Sequence, residues 1–461
     1  MFATLIPINP TSVHATTMTN ETTDLAQEAA PPLYETFGDV LKADGTLNLA
    51  KAEGASFSNL DGWQMTLGPD GAPRFAQPAA DNANWDDQFG FPGSRFQIVS
   101  LAAGGGNVYA GLFFGGEVGY LDVEGIARWD GCRWHAMGAG LDEPPSDILV
   151  KGTDVYVVGA FESAGGKGIG GIARWDTTNG TWNAVGSGVG PRDTVDSPEA
   201  SAIAALGNDI YIGGEFVEVD GVEALTLARW DGTNWSAVGG GVERQDTGNL
   251  GEVFALAPTP DGKLAVGGAF THAYDSPTAQ ETEVNHITIW DPQAKRFAAL
   301  AGGISESGIA SFPRVNDIVF GGNDMYIGGF FEEAGGVVTN HIARWDGTKW
   351  NALASGMNST VGTLAFHNNI LYAGGLFGGA SGKAAHRIAR WDGATWTGLL
   401  KTNSNENDIS GVAVTENGTL YAAGDMERFD DLYAFNIASW TEQEQTWRPL
   451  GYGFSSAGIL G

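Results

Sequence analysis

Three histidines are the first side chains in this chain with an arrangement that suits chemistry. His286 and His341 each lie four residues before a tryptophan of a recurring segment, Trp290 and Trp345, and His386 lies five before Trp391. Imidazoles from neighbouring segments offer zinc or copper ligands, or a general base. Equivalent points on packed sheets are about 10 Å or more apart, too far for one ion without long loops. The plainer alternative is an imidazole at a strand entrance that bonds a loop carbonyl.

Carboxylates form the second candidate set. Asp142, Glu143 and Asp147 fall in one connection between segments, Asp193, Asp196 and Glu199 in the next, then Glu243, Asp246 and Glu252. Within segments Glu215, Glu218, Asp220 and Glu223 are followed by Asp275, Glu281 and Glu283, then by Glu332 and Glu333. Glu215, Asp220, Asp275, Glu332 and Glu333 are the acids we expect, with the three histidines, to face a ligand. Such groups suit calcium, which takes about six to eight oxygens. No Asp-x-Asp-x-Asp-Gly loop occurs, so calcium is a candidate and no cofactor is required. A solvated acidic rim accounts for the same residues.

Motifs of nucleophilic catalysis are missing. The chain has no Gly-x-Ser-x-Gly, His-Glu-x-x-His or phosphate-binding Gly-x-x-x-x-Gly-Lys-Ser/Thr, and Gly165, Gly166 and Gly168 follow a strand without opening a helix. Paired carboxylates for glycoside hydrolysis come from separate segments in a repeat protein and leave no local spacing. Cys132 is the sole cysteine, so no internal disulfide forms. With 55 acidic against 24 basic residues the net charge is −31, a field that repels nucleic acid and anionic membranes. No stretch is long and apolar enough to span a bilayer. Met1 to Ala15 has an apolar start but no Lys or Arg, a poor secretory signal.

The elements that position these residues come from a repeat. Ile126-Ala127-Arg128-Trp129-Asp130-Gly131 returns at 172–176, 227–232, 342–347 and 388–393, with weaker copies at 287–291 and 437–440. The tryptophans are Trp129, Trp175, Trp230, Trp290, Trp345, Trp391 and Trp440, spaced roughly 45 to 60 residues, a blade-sized period. Upstream of each stands an apolar strand ending in paired glycines, as in Tyr211-Ile212-Gly213-Gly214, and downstream a turn and a last strand, as in Gly347 to Leu353. Four strands per repeat follow. Four antiparallel strands cannot bury both faces alone, and a ring of them does.

The expected fold is therefore all-β, a single β-propeller of seven four-stranded blades, or eight if residues 33–95 form a degenerate blade. Residues 1–32 read as a flexible arm, 33–95 as an extension or that extra blade, 96–454 as the propeller and 455–461 as a tail. The repeated tryptophans are expected to wedge between blades. Arg128, Arg174, Arg229, Arg344 and Arg390 are expected to be structural, each paired with the following Asp or with an adjacent blade's carbonyl or carboxylate. A second tryptophan series (134, 182, 235, 350, 396, 447), with Trp63 and Trp85, supplies the only spare aromatics for sugar stacking. Connections between strands two and three and between blades share one face, and their variable length marks it as the functional one.

The tandem Ile-Ala-Arg-Trp-Asp-Gly with its upstream Tyr-x-Gly-Gly-x-Phe resembles Kelch and galactose-oxidase-like propellers. It is most similar to the repeat propellers of bacterial secreted or surface proteins and of the fungal cortical-marker family of cell-polarity proteins. The resemblance spans 96–454 and implies fold rather than activity. A galactose-oxidase copper site needs a cysteine cross-linked to tyrosine, and Cys132 stands in a turn where other repeats have Thr233, Thr348 or Ala394. The expected function is a non-catalytic secreted or cell-surface platform presenting acids to a protein, glycan or cation. A carbohydrate-active enzyme and a propeller lectin are the alternatives.

Overall fold

The computed structural model describes residues 93–451, except 120, 191–198, 246–248, 306–311 and 402–407, together with 3–4, 41–42, 46, 56–57, 64–67 and 73–76. The chain forms two compact units, 1–86 and 87–461. In the first, Ala3–Thr4 pairs with Ser56–Phe57 and Gln64–Leu67 with Pro73–Ala76, both antiparallel. Trp63, Trp85 and the tail 455–461 lie outside the described residues.

The second unit is a β-propeller. Blade 3 is representative: Glu199–Leu206, Asp209–Glu215, Leu227–Trp230 and Trp235–Ala237 form an antiparallel sheet in that order. Blades 1, 2, 4, 5, 6 and 7 span 98–136, 145–184, 252–299, 314–352, 361–398 and 409–449 with the same order. Each blade is one contiguous stretch of chain. The ring closes by packing blade 7 on blade 1: Tyr421, Ala423 and Ile437 share an apolar cluster with Ile98, Val108 and Trp129. Ser410 Oγ donates to the Ile98 carbonyl at 2.5 Å, and Asn436 Nδ2 to the Ser94 carbonyl at 2.9 Å. An eighth blade would have to enter at this joint, so the eight-bladed alternative fails and the ring has seven.

The paired glycines make two close approaches possible. A Cβ on Gly213 would sit 2.4 Å from Val253 of the next blade, and one on Gly214 2.0 Å from the Glu199 carbonyl oxygen. The second contact arises because the innermost strand is bulged there, between Ala200 and Ala202. All seven innermost strands carry this bulge at the same place. A bulge turns an extra residue out of the ladder, and seven of them face the ring axis.

The two tryptophan series both pack between blades. Trp129, Trp175, Trp290 and Trp440 are buried and Trp230, Trp345 and Trp391 partly so. The second series is the deeper one: Trp134, Trp182, Trp235, Trp350, Trp396 and Trp447 are all buried. They are not the spare aromatics that the sequence suggested, because each is tilted against its blade's own first tryptophan or a neighbouring ring and covered by the adjoining connection.

Four of the five repeat arginines take a partner other than those expected, and Arg390 takes the expected carboxylate of an adjacent blade. Those four are half-buried and bond to the residue that opens the second strand of their own blade: Arg128 to Asn107 at 2.9 Å, Arg229 to Asp209 at 2.7 Å, Arg344 to Asp324 at 3.3 Å and Arg174 to Asp154 at 3.6 Å. In blade 6 that position is Ile370, and Arg390 reaches Glu442 of blade 7 at 2.8 Å instead. The Asp after each tryptophan is unavailable because it closes a turn. Asp346 Oδ1, for example, accepts the amides of Thr348 and Lys349 at 3.0 and 2.9 Å.

Candidate functional site

The seven bulges enclose a polar cavity of about 260 Å³ on the ring axis. Its wall takes Ser100, Ser146 and Asp147, Ser201, Phe254, Asn316 and Asp317, Thr363 and Ser410 from successive blades. Several of these side chains also tie their blade to the next. Ser100 Oγ donates to the Pro145 carbonyl at 2.7 Å, Asn316 Nδ2 to the Val361 carbonyl at 2.9 Å, and Thr363 Oγ1 accepts the Val412 amide at 3.2 Å.

Two carboxylates make the strongest of these ties. Asp147 accepts the Ile148 amide at 2.7 Å and the Ile203 amide of blade 3 at 2.9 Å. Asp317 does the same with Ile318 at 2.7 Å and Leu364 of blade 6 at 2.6 Å. Both lie deep in the ring and are only partly buried, because each opens onto the axial cavity. Burial raises Asp147 to about 7 despite its amide partners, and the charge of Asp317 adds to the effect. Burial likewise raises Asp317 to about 6. The sequence reading put Asp147 in an inter-blade connection. It lies instead on the innermost strand, and the shared triplets Ser146-Asp147-Ile148 and Asn316-Asp317-Ile318 were the signal that would have located the pair.

Above the cavity the channel opens on the face of the longer loops. Glu199 and Glu215 are cross-strand partners there, and Glu252 opens the innermost strand of blade 4. Burial raises the Glu215 carboxyl above its ordinary value, and repulsion from Glu252 and Glu199 raises it further. Glu199 accepts a short hydrogen bond from Ser146 Oγ. Arg314, which opens the innermost strand of blade 5, has no carboxylate within 4.0 Å among the described residues; it donates to Asn316 Oδ1 at 3.1 Å and lies over the Phe330 ring at 5.8 Å. Phe113, Phe114 and Leu376 are exposed ends of second strands on the same face.

The longer loops are more regular than their sequences suggest. Most strand-two-to-three connections form a small hairpin, such as Ser163–Ala164 with Lys167–Gly168, and the preceding inter-blade connection bridges to it, as Leu141 does to Ala164 and Met357 to Ala380. In blade 4 this grows into a separate four-stranded rim sheet of Val242–Arg244, Asn249–Leu250, His272–Tyr274 and Glu281–Glu283.

That regularity explains the histidines. His286 and His341 stand immediately before their third strands with φ of 71° and 68°, where blades 1 and 2 have Gly125 and Gly171 at 63° and 72°. Their amides donate to the Phe270 and Phe331 carbonyls, both at 2.7 Å. His386 is displaced one residue, and Arg387 takes the left-handed position. His341 is lowered by burial, partly offset by the nearby Glu332. Among the described residues no three His, Cys, Asp or Glu side chains are grouped to hold a metal ion, so the three histidines do not converge.

The remaining acids are mostly engaged in loop geometry. Asp220 accepts the Ser187 amide at 2.7 Å, Asp275 the Phe297 amide at 2.7 Å, and Glu333 sits in a hairpin strand paired with Ser305. Of the acids expected to face a ligand, Glu215 alone joins the channel mouth. Asp193, Asp196 and Asp246 lie outside the described residues.

No protein-family model matches the chain, and no curated protein sequence matches it. Among solved structures it is similar to an extracellular domain of BT4673 from B. thetaiotaomicron, at 12% identity and a TM-score of 0.48, over 78% of this chain and 40% of that one. It is also similar to the WD40 β-propeller domain of Doa1 (11%, TM-score 0.46, 78% and 97%) and to the computationally designed protein Ika8 (17%, TM-score 0.44, 77% and 100%). The chain thus spans about 40% of the length of the BT4673 domain. Among the described residues no helix is long and apolar enough to cross a membrane.

Proposed function

We propose that the chain is a non-catalytic binding propeller, exported or cell-surface and Kelch-like in its repeats, whose acidic channel mouth takes a cationic side chain of a protein partner. The observation that carries this reading is the meeting of Glu199, Glu215 and Glu252 at the channel mouth, where burial raises Glu215 and repulsion from Glu252 and Glu199 raises it further. A cation docked among them relieves that repulsion, and exposed Phe113, Phe114 and Leu376 offer apolar contact around it. Among the described residues no three carboxylates are grouped to hold one metal ion. A guanidinium or ammonium on a flexible stem suits them better than calcium.

The carbohydrate-enzyme alternative has one observation in its favour, the raised carboxyls of Asp147 and Asp317. Each spends its oxygens on backbone amides, and the axial cavity falls below the roughly 300 Å³ of ordinary ligand pockets. The lectin alternative loses its outer platforms because the second tryptophans are buried.

The test is titration with a fluorescent oligo-arginine peptide at rising salt, with calcium in a parallel arm. The triple variant Glu199→Gln, Glu215→Gln, Glu252→Gln is expected to bind roughly tenfold or more weakly and with a shallower salt dependence. Unchanged affinity in that variant, or calcium binding that blocks the peptide, overturns the reading.

A further inference from the structure

Six of the seven joints between blades share one filling. The tyrosine of one blade's second strand lies in the same apolar cluster as the first tryptophan of the next: Tyr109 with Trp175, Tyr156 with Trp230, Tyr211 with Trp290, Tyr326 with Trp391, Tyr372 with Trp440 and, across the closure, Tyr421 with Trp129. Opposite the tyrosine stands the repeat arginine, as Arg229 faces Tyr211 and Arg344 faces Tyr326, or Ser439 in blade 7. Blade 4 breaks both positions. Ala265 stands for the tyrosine and its cross-strand partner Ile289 for the arginine.

The joint between blades 3 and 4, which keeps Tyr211 and Arg229, holds a pocket of about 730 Å³ with Asp209, Arg229 and Asp275 in its wall, so what the loss of the phenol and the guanidinium changes at the blade 4–5 joint is the character of the lining. A pocket of about 420 Å³ opens between blades 4 and 5 on the short-loop side, walled by Ile289, Ala298, Leu300, Phe320, Met325 and the indole of Trp345. Ile289, Phe320 and Trp345 are only partly buried and line the pocket. The volume falls within the range of small-molecule sites, roughly 300 to 1,000 Å³.

The rim determines the ligand's charge. Asp261 is paired with Lys263 at 2.7 Å, and Asp291 accepts the amides of Gln293 and Ala294, both at 2.9 Å. Arg296 lines the same rim, is exposed, and forms no ion pair among the described residues. Asp291 is also the cross-strand partner of Arg296 and keeps its charge, held down by its amides, Lys263 and Arg296. Arg296 is the rim cation without a direct ion pair among the described residues, and its planar fork binds carboxylates and other oxyanions.

We propose that this joint is a binding pocket for a planar apolar ring system bearing one anionic group, with the ring against Trp345, Ile289 and Phe320 and the anion on Arg296. Aromatic rings stack on indole, and the apolar walls reward burial of the ring body. The site lies on the opposite side of the ring from the acidic mouth and does not depend on it.

The test is titration of the full chain with 8-anilinonaphthalene-1-sulfonate, with the uncharged N-phenyl-1-naphthylamine as a second probe. The expected result is saturable binding of the sulfonate at one site per chain. Arg296→Gln should weaken it about tenfold and leave the neutral probe within about twofold. The double variant Ala265→Tyr, Ile289→Arg restores the residues of the other joints, puts a guanidinium in place of the apolar wall, and should weaken binding of the neutral probe about tenfold or more while melting no earlier than the parent. Ala298→Trp, at an exposed outer-strand position, should block binding without touching the joint's interior if the double variant does not fold. Unaltered binding of the neutral probe in the filled variants, or no saturable binding by the parent chain, overturns the pocket. An equal loss of both probes on Arg296→Gln overturns the anionic assignment.

Discussion

Trp182 Nε1 donates a 2.7 Å hydrogen bond to the carbonyl of Met137, the residue three beyond Trp134 in the preceding blade. The same bond recurs from Trp235 to Val185, Trp350 to Leu300, Trp396 to Leu353 and Trp447 to Leu399, at 3.2, 3.1, 3.1 and 3.0 Å. At the closure it is missing. The carbonyl in register for Trp134 is that of Leu450, which accepts the Gly93 amide at 3.0 Å, and Trp134 Nε1 is buried without an acceptor. The closure thus lacks this bond, as does the joint between blades 3 and 4, where Phe297 stands in the place of the second tryptophan.

Trp350→Phe and Trp134→Phe should consequently differ. Both lose similar ring volume, but the first also loses a buried hydrogen bond while the second sheds a donor that has none. Trp350→Phe is expected to cost about 1 kcal/mol or more beyond Trp134→Phe in urea unfolding. Equal costs would mean that the inter-blade bond contributes nothing net.

The paired glycines lead to a second expectation. Gly214→Ala drives a methyl into the Glu199 carbonyl oxygen, a backbone atom fixed by the bulge, and should lower stability by about 1 to 3 kcal/mol or more. Gly168→Ala is the control, since its Cβ meets nothing within 4 Å and its φ lies outside the left-handed range. It should be neutral, or stabilising by up to about 1 kcal/mol. Thermal melting of the two variants checks both.

Much of this architecture could be read from residue types. The Ile-Ala-Arg-Trp-Asp-Gly copies locate the third strand of five blades, and Gly213-Gly214 marks a strand that must approach its neighbours closely. What could not be read was the destination of side chains whose partners are distant in sequence. Asp147 bonds an amide 56 positions away, and the bulge that aims it at the axis adds a single residue to an otherwise apolar run. The histidines misled for a related reason: their positive φ marks a turn, and nothing in His286 or His341 announces that glycine occupies the same place in blades 1 and 2. Ala265 and Ile289 were visible as departures from the repeat, but a departure acquires meaning only when the neighbouring blade's tryptophan is seen beside it.

The turn carboxylates and the channel carboxylates should respond to acid in opposite directions. Two side-chain bonds, from Thr348 and Asn351, and two backbone amides hold Asp346 well below the usual carboxylate range. Its contribution is complete above the unfolded value and is lost as pH falls through the folded one. Asp346→Ala should therefore destabilise at pH 7 and lose its effect toward pH 2, read as the difference in urea midpoints from the parent.

Asp147 and Asp317 carry the reverse sign. Their folded values, about 7 and about 6, lie above the roughly 3.9 of an unfolded aspartate, so the folded ring binds more protons than the unfolded chain between those limits. Stability from this source is full below the unfolded value and declines as pH rises through 6 and 7. For Asp147 the decline is on the order of 4 kcal/mol at most, and water entering from the axial cavity reduces it. Replacement by Asn removes the titration but supplies one acceptor where the carboxylate had two, leaving the amide of either Ile148 or Ile203 unsatisfied. Asp147→Asn should thus be less stable than the parent at pH 5 and lose much less on going to pH 8, so that the two midpoint curves converge. Parallel curves for parent and variant would show that Asp147 stays ionised throughout, held by its two amides against the burial that surrounds it.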